Sequence, residues 1–172
     1  MDSKPSIPRQ AAIAVAFLAA VALTAFLGSL ASTQNVDGWY ASAEKVPWDP
    51  PNSVFGPVWS ALYFLIAIAG WLIWRAGYRE GSVNAAKRPL AIWATQIILN
   101  GLWTPAFFAG YLIFGRPAWW IALAVILSLI AVVAWLAAAA APWSRVASWI
   151  MVPYLLWLIF ATSLNIGIIV LN

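Results

Sequence analysis

Polar positions in this chain fall into short charged clusters that separate long apolar runs. Between Arg9 and Asp37 lie 27 residues without a charge, and between Asp49 and Arg75 there are 25. Three further runs follow: 27 residues between Arg88 and Arg116, 28 between Arg116 and Arg145, and 27 after Arg145. A helix needs roughly 20 apolar residues to cross the hydrocarbon of a bilayer. The pattern therefore predicts an all-α integral membrane protein, a bundle of five transmembrane helices near residues 10–34, 54–76, 88–113, 117–141 and 146–171. The chain, 1–172, reads as a single transmembrane domain with an aromatic, proline-rich loop over 35–53. The strands of a membrane β-barrel would alternate apolar and polar residues over about ten positions, and runs such as 118–127 do not.

Prolines and small residues refine the picture. Pro57 and Pro117 suit the first turns of the second and fourth spans, where no backbone donor is lost. Pro105 and Pro153 fall inside the third and fifth spans, where each frees a carbonyl and is expected to kink the helix. A cleaved signal peptide is the competing reading of the N-terminus. The apolar run from Ala11 to Leu30 is longer than a signal core of about 7–15 residues, so the segment is read as a retained span. Ala12, Ala16, Ala20, Thr24 and Gly28 recur every fourth residue along it, a stripe that admits close helix approach. The stripe serves either the bundle itself or a homodimer seam, with Ala106 and Gly110 as a second candidate seam.

Composition narrows the chemistry. Apolar residues make up 65% of the chain and charged residues 8%, against about a quarter charged in soluble domains. Cys and His are absent, which excludes disulfides, structural zinc, His-ligated haem and His-dependent triads. No Asp, Glu, Lys or Arg lies inside a predicted span, which argues against proton-coupled transport and retinal binding. With five spans, Lys4, Arg9, Arg75, Arg79, Lys87, Arg88 and Arg145 share one side, and Lys45 and Arg116 share the other. That bias places the N-terminus in the cytoplasm and the first loop and C-terminus outside. The net charge of +4 thus reflects topology, and no basic nucleic-acid face is present.

The remaining polar and aromatic side chains form faces. Gln96, Asn100, Trp103 and Phe107 share one side of the third span, and Tyr154, Trp157, Ala161 and Asn165 one side of the fifth. Phe55, Trp59 and Tyr63 do the same on the second. The amides also suit interhelical hydrogen bonding, at about 0.6 kcal/mol per bond. Among the 13 tryptophans, Trp71, Trp74, Trp93, Trp119, Trp120, Trp143 and Trp149 lie near span ends and read as interfacial anchors. Trp135 is undecided. Trp39, Trp48, Trp59, Trp103 and Trp157 remain. Topology places the last three faces beneath the loop, which predicts an aromatic cavity with a few neutral polar groups, capped by the loop.

These residues resemble the tryptophan-rich sensory protein family (TspO/MBR), relatives of the mitochondrial translocator protein, the peripheral-type benzodiazepine receptor. The resemblance rests on Trp39-Tyr40, Trp48-x-Pro50-Pro51, Phe55-Gly56-Pro57-Val58-Trp59 and Gln96-x-x-x-Asn100-x-x-Trp103. Pro153-Tyr154-x-x-Trp157-x-x-Phe160-Ala161-x-x-Leu164-Asn165 extends it. It implies a bacterial cell-membrane protein, often homodimeric, that binds porphyrins and related tetrapyrroles as sensor or translocator. The porphyrin is then a ligand rather than a cofactor, and no cofactor or metal is expected. The ligand-facing residues it implies are Trp39, Trp48, Trp59, Asn100, Trp103, Trp157, Ala161 and Leu164. The face reading adds Phe55, Tyr63, Phe107, Tyr154 and Asn165, and the aromatic loop adds Tyr40. Lys45 and Arg116, the cations on the loop side, are the candidates for pairing with propionates. Without His or Cys, iron would find only Tyr or a weak Met such as Met151, so metal-free porphyrin is expected to bind at least as well as haem. Alternative readings are a light- and oxygen-dependent porphyrin-degrading enzyme, with Trp59 and Trp157 as redox-active neighbours, or a structural or regulatory membrane subunit. Two departures stand out. Val46 intervenes between Lys45 and Pro47, where the family often has Lys-Pro, and the cholesterol motif proposed for animal members has no counterpart here.

Overall fold

The computed structural model describes residues 4–172. Its elements are α1 (Ile7–Val36), a short α2 (Trp39–Ser42), α3 (Asn52–Ala76), α4 (Lys87–Thr104), α5 (Gly110–Phe114), α6 (Pro117–Ala140) and α7 (Arg145–Leu171). A π-helical turn, Pro105–Ala109, joins α4 to α5, making one span of Lys87–Phe114. Among the described residues, five helices are long and apolar enough to cross a membrane and no strand is present. The chain is a five-helix membrane bundle.

The spans close into a ring. α1 packs on α3 and on α4, α3 packs on α7, α7 on α6, and α6 on α4. Apolar residues at steps of three and four on α6, Ile126, Leu129, Val133 and Leu136, share one buried core with Met151, Tyr154 and Leu158 of the adjoining α7 and with Ile66 and Ile73 of α3. Gly70 sets the closeness of α1, α3 and α4. A Cβ there would lie 2.6 Å from the Phe17 ring and 2.8 Å from Trp93. Part of the small-residue stripe on α1 is consumed inside the bundle. Thr24 and Gly28 are buried, Thr24 facing Gly101 and Gly28 facing Thr104, whereas Ala12 and Ala16 are exposed. Gly110 of the second stripe faces Ala118 of α6.

Three local expectations are corrected. Helix α3 begins at Asn52, so Pro57 sits inside the helix rather than in its first turn. Pro105 widens its helix instead of simply kinking it: lacking an N–H, it starts a turn in which the Gly110 N–H donates to the Pro105 carbonyl, five residues back. Trp93 and Trp119 are not interfacial anchors. Both are buried: Trp93 Nε1 donates to the Ile66 carbonyl at 2.9 Å, and the Trp119 ring stacks on Tyr111 with centroids 4.8 Å apart. Trp120 and Trp149 are exposed, as anchors should be, and so is Trp135, with the Arg88 guanidinium 5.7 Å above it.

Candidate ligand cavity

A cavity of about 490 Å³ lies at the end of the bundle that carries the first loop. Its volume falls in the range of small-molecule sites, about 300–1,000 Å³. Four spans and α2 build it. From α3 come Phe55, Trp59 and Tyr63, which recur every fourth residue and so share one face. Trp103 and Phe107 form the α4 wall as a stacked pair, with centroids 5.4 Å apart and planes 18° from parallel. The π turn brings Phe108 to the wall beside Phe107. From α7 come Trp157, Ala161, Leu164 and Asn165. Trp157 stands edge-on to Trp59, 6.5 Å away at 89°, and to Phe55 at 5.9 Å.

The sequence reading missed the fifth wall. Helix α1 contributes Ala25, Gly28, Ser29, Ser32, Thr33 and Val36. Ser29, Ser32 and Thr33 are spaced to share a helical face, and three hydroxyls together on a membrane helix were the available signal. Two of the three protons are spent locally: Ser32 and Thr33 both donate to the Ser29 carbonyl, at 3.3 and 2.8 Å. Asn52, Gly56, Ser60 and Thr104 complete the missed positions. No lining residue carries a charge.

Beneath the aromatic floor runs a buried polar chain. Tyr63 Oη donates to Asn100 Oδ1 at 2.7 Å, Asn100 Nδ2 donates to Tyr154 Oη at 2.7 Å, and Tyr154 donates to Gln96 Oε1 at 3.2 Å. Asn100 and Tyr154 therefore position Tyr63 and do not line the cavity. Other polar atoms around the cavity are buried with no protein partner: Trp103 Nε1, Trp157 Nε1 and Asn165 Oδ1. The Asn165 amide is oriented by its Nδ2, which donates to the Trp119 carbonyl at 3.2 Å. An unpaired polar atom in a low-dielectric interior is costly, about 1–3 kcal/mol, so two donors and one acceptor remain available beside the aromatic walls.

The loop forms a lid. Tyr40 of α2 lines the cavity from above. Trp39 lies behind it, with its Nε1 donating to the Phe108 carbonyl at 3.1 Å and its ring 4.3 Å from Tyr111 and 5.5 Å from Trp119. Trp39 thus braces the lid and does not reach the cavity. Trp48 is largely exposed and donates to Ser163 Oγ of α7 at 3.2 Å. Asn172 pairs with the Glu44 backbone twice, accepting from its N–H and donating to its carbonyl, both at 3.0 Å. Val46 packs on Gly167 so closely that a Cβ at Gly167 would meet its side chain. Lys45 lies one layer out, with Nζ 4.5 Å above the Tyr40 ring, and Arg116 caps α6 at an exposed position; neither lines the cavity. Burial and the neighbouring Asp49 push the Tyr40 hydroxyl well above its ordinary range. Burial also raises Asp49, against the opposing pull of Lys45 and its hydrogen bond with Tyr40. Met151 is buried in the core and does not line the cavity. No group of three His, Cys, Asp or Glu that could hold a metal ion occurs among the described residues.

Comparison with known proteins agrees with this architecture. The TspO/MBR family matches residues 14–171. The tryptophan-rich protein TspO of Archaeoglobus fulgidus is 38% identical over 160 residues, covering 92% of this chain and 95% of its own. The tryptophan-rich sensory protein of Cereibacter sphaeroides is 37% identical over 166 residues, covering 94% and 92%. The translocator protein of Homo sapiens is 34% identical over 157 residues, covering 88% and 85%. With a match of this length and a five-helix membrane bundle, the chain belongs to the TspO/MBR family.

Proposed function

We propose that the protein is a membrane receptor or carrier for a porphyrin or related tetrapyrrole, held in the lidded cavity and handed on as a signal or a cargo. The observation that carries this reading is the wall composition. Flat indole and phenyl rings surround an uncharged space of about 490 Å³, and indole N–H groups without protein partners sit among them. A tetrapyrrole is a flat, polarisable plate, and each ring it meets contributes about 0.5–1.5 kcal/mol beyond area burial. Of the two tyrosine hydroxyls of the lining, Tyr63 is engaged with Asn100, and burial and the neighbouring Asp49 disfavour ionisation of Tyr40. This favours stacking of the macrocycle over ligation of an iron, and hence binding of the metal-free ring. The propionates lie toward the lid, where Lys45 stands behind Tyr40. The charge bias supports a lid on the non-cytoplasmic side.

The test is a Soret-band titration of the purified protein with protoporphyrin. Saturable one-site binding is expected, weakened about 3- to 10-fold in Trp157→Phe and unchanged in the exposed control Trp149→Phe. Lys45→Ala is expected to weaken porphyrin but not a neutral aromatic ligand. Non-saturable binding, or equal loss in both tryptophan variants, would reject the cavity as the site.

A further inference from the structure

The two ends of the bundle carry opposite balances of charge. The end opposite the lid holds seven of the nine Lys and Arg residues. Among the described residues its one acid is Glu80, whereas the lid end sets Asp37, Glu44 and Asp49 against two cations. At the basic end a second cavity, of about 320 Å³, opens between the segment before α1, the last turns of α3 and the turn from α6 to α7. Lys4, Arg75 and Arg79 line it together with the apolar surfaces of Leu72 and Trp143. Ser144, which caps α7 by accepting from the Ala147 N–H at 3.2 Å, brings the positive end of that 27-residue helix to the same wall.

The arginines are held in position. The Arg75 guanidinium lies 5.4 Å over the Trp71 ring, and Arg79 donates to the Tyr78 carbonyl at 3.0 Å. Arg9 donates to the Tyr78 hydroxyl, also at 3.0 Å, and adds a fourth positive charge beside the cavity. Leu72 lies one helical turn deeper in the span than Ala76, the last residue of α3, so the cavity reaches from the charged end of the bundle onto the apolar side of the helix. We propose that this cavity binds the phosphate of an anionic phospholipid head group, with an acyl chain descending over Leu72 and Trp143. Basic pockets between transmembrane helices are suited to such head groups, and each nearby cation adds to the attraction. A free phosphate would use the same cations but would gain nothing from the apolar wall. The proposal is independent of the tetrapyrrole reading.

The experiment reconstitutes the full chain in phosphatidylcholine nanodiscs and titrates in phosphatidylglycerol brominated on its acyl chains, reading tryptophan quenching. Brominated phosphatidylcholine is the neutral control. Saturable extra quenching by the anionic lipid is expected, with the Trp143 component absent in Trp143→Phe. Lys4→Gln with Arg75→Gln is expected to weaken the anionic preference by roughly 25-fold, about 5-fold per charge. On the unaltered protein, raising salt from about 0.05 M to about 0.5 M should erode the same preference, which keeps the test meaningful if the double variant folds poorly. Displacement of the lipid by millimolar glycerol phosphate would overturn the lipid assignment in favour of a soluble phosphate ligand. Equal quenching by both lipids, or an unchanged preference in the double variant, would overturn the site.

Discussion

Adding one methyl group at Gly167 tests whether the lid is held by the contacts described above. In Gly167→Ala the new Cβ meets Val46, so either α7 retreats or the lid moves. Helix α7 cannot retreat easily, because Leu164, Asn165 and Ile168 on the same stretch are buried against the bundle. Beyond the Trp39 brace, the 44–48 stretch of the lid is held by the two Asn172–Glu44 bonds and the Trp48–Ser163 bond, at about 1 kcal/mol each and about 3 kcal/mol together. Overpacking by one methyl group costs typically 1–3 kcal/mol. The two terms are comparable, so the lid should open measurably, by about 5- to 150-fold in its docking equilibrium. Limited tryptic digestion in nanodiscs reads this directly. Lys45 is followed by Val46, not proline, so the bond after it is cleavable, and cleavage follows the open population when reclosing is fast. Faster cutting after Lys45 is expected in Gly167→Ala, together with faster porphyrin release. Val46→Ala in the same chain should restore both. Unchanged cleavage in Gly167→Ala, or failure of Val46→Ala to restore it, would refute the proposed packing of the lid.

Other perturbations probe the layers beneath. Asn100→Ala removes the bonds to Tyr63 and Tyr154, and at about 0.6 kcal/mol per bond in a membrane it should cost about 1–2 kcal/mol in an SDS unfolding titration, with weaker porphyrin binding as the Tyr63 ring loosens. Gly70→Ala drives a methyl group into Phe17 and Trp93, and a loss of about 1–3 kcal/mol in the same titration is expected, larger than for alanine at the exposed Gly56. Asp49 gives the lid a pH dependence. Docking raises its carboxyl above the ordinary value of 3.8, so the docked lid binds protons more readily than the open one. Docking is therefore strongest below that ordinary value and weakens as pH rises through the elevated docked value. Lys45 cleavage by an acid-tolerant lysine-directed protease should accelerate across that interval, and Asp49→Asn should flatten the profile and keep the lid more closed at neutral pH.

What could be read from the sequence, and what could not, follows from which physics each feature depends on. Helix number and span limits depend on the length of uncharged runs, a local property, and these were legible to within a few residues. The faces of α3, α4 and α7 were legible because aromatic residues recur at steps of three and four. The α1 wall was not. Gly28 read as packing, which it is, but Ser29, Ser32 and Thr33 reach the cavity only because the ring order sets α1 between α3 and α4, and periodicity carries no ring order. Tryptophan posed the same difficulty. Trp93 and Trp120 both lie near span ends, yet Trp93 is buried where Gly70 lets Phe17 and α3 close over it, while Trp120 faces outward. An indole near a membrane boundary is an anchor or a core residue according to its neighbours on other helices. Phe108 makes the sharpest case. At an α-helical 100° per residue it should turn away from the face that Trp103 and Phe107 share. The π turn after Pro105 rotates the chain less per residue and keeps Phe108 on the cavity wall. A proline read only as a kink thus also shapes the site, by allowing two consecutive aromatic rings to face the same space.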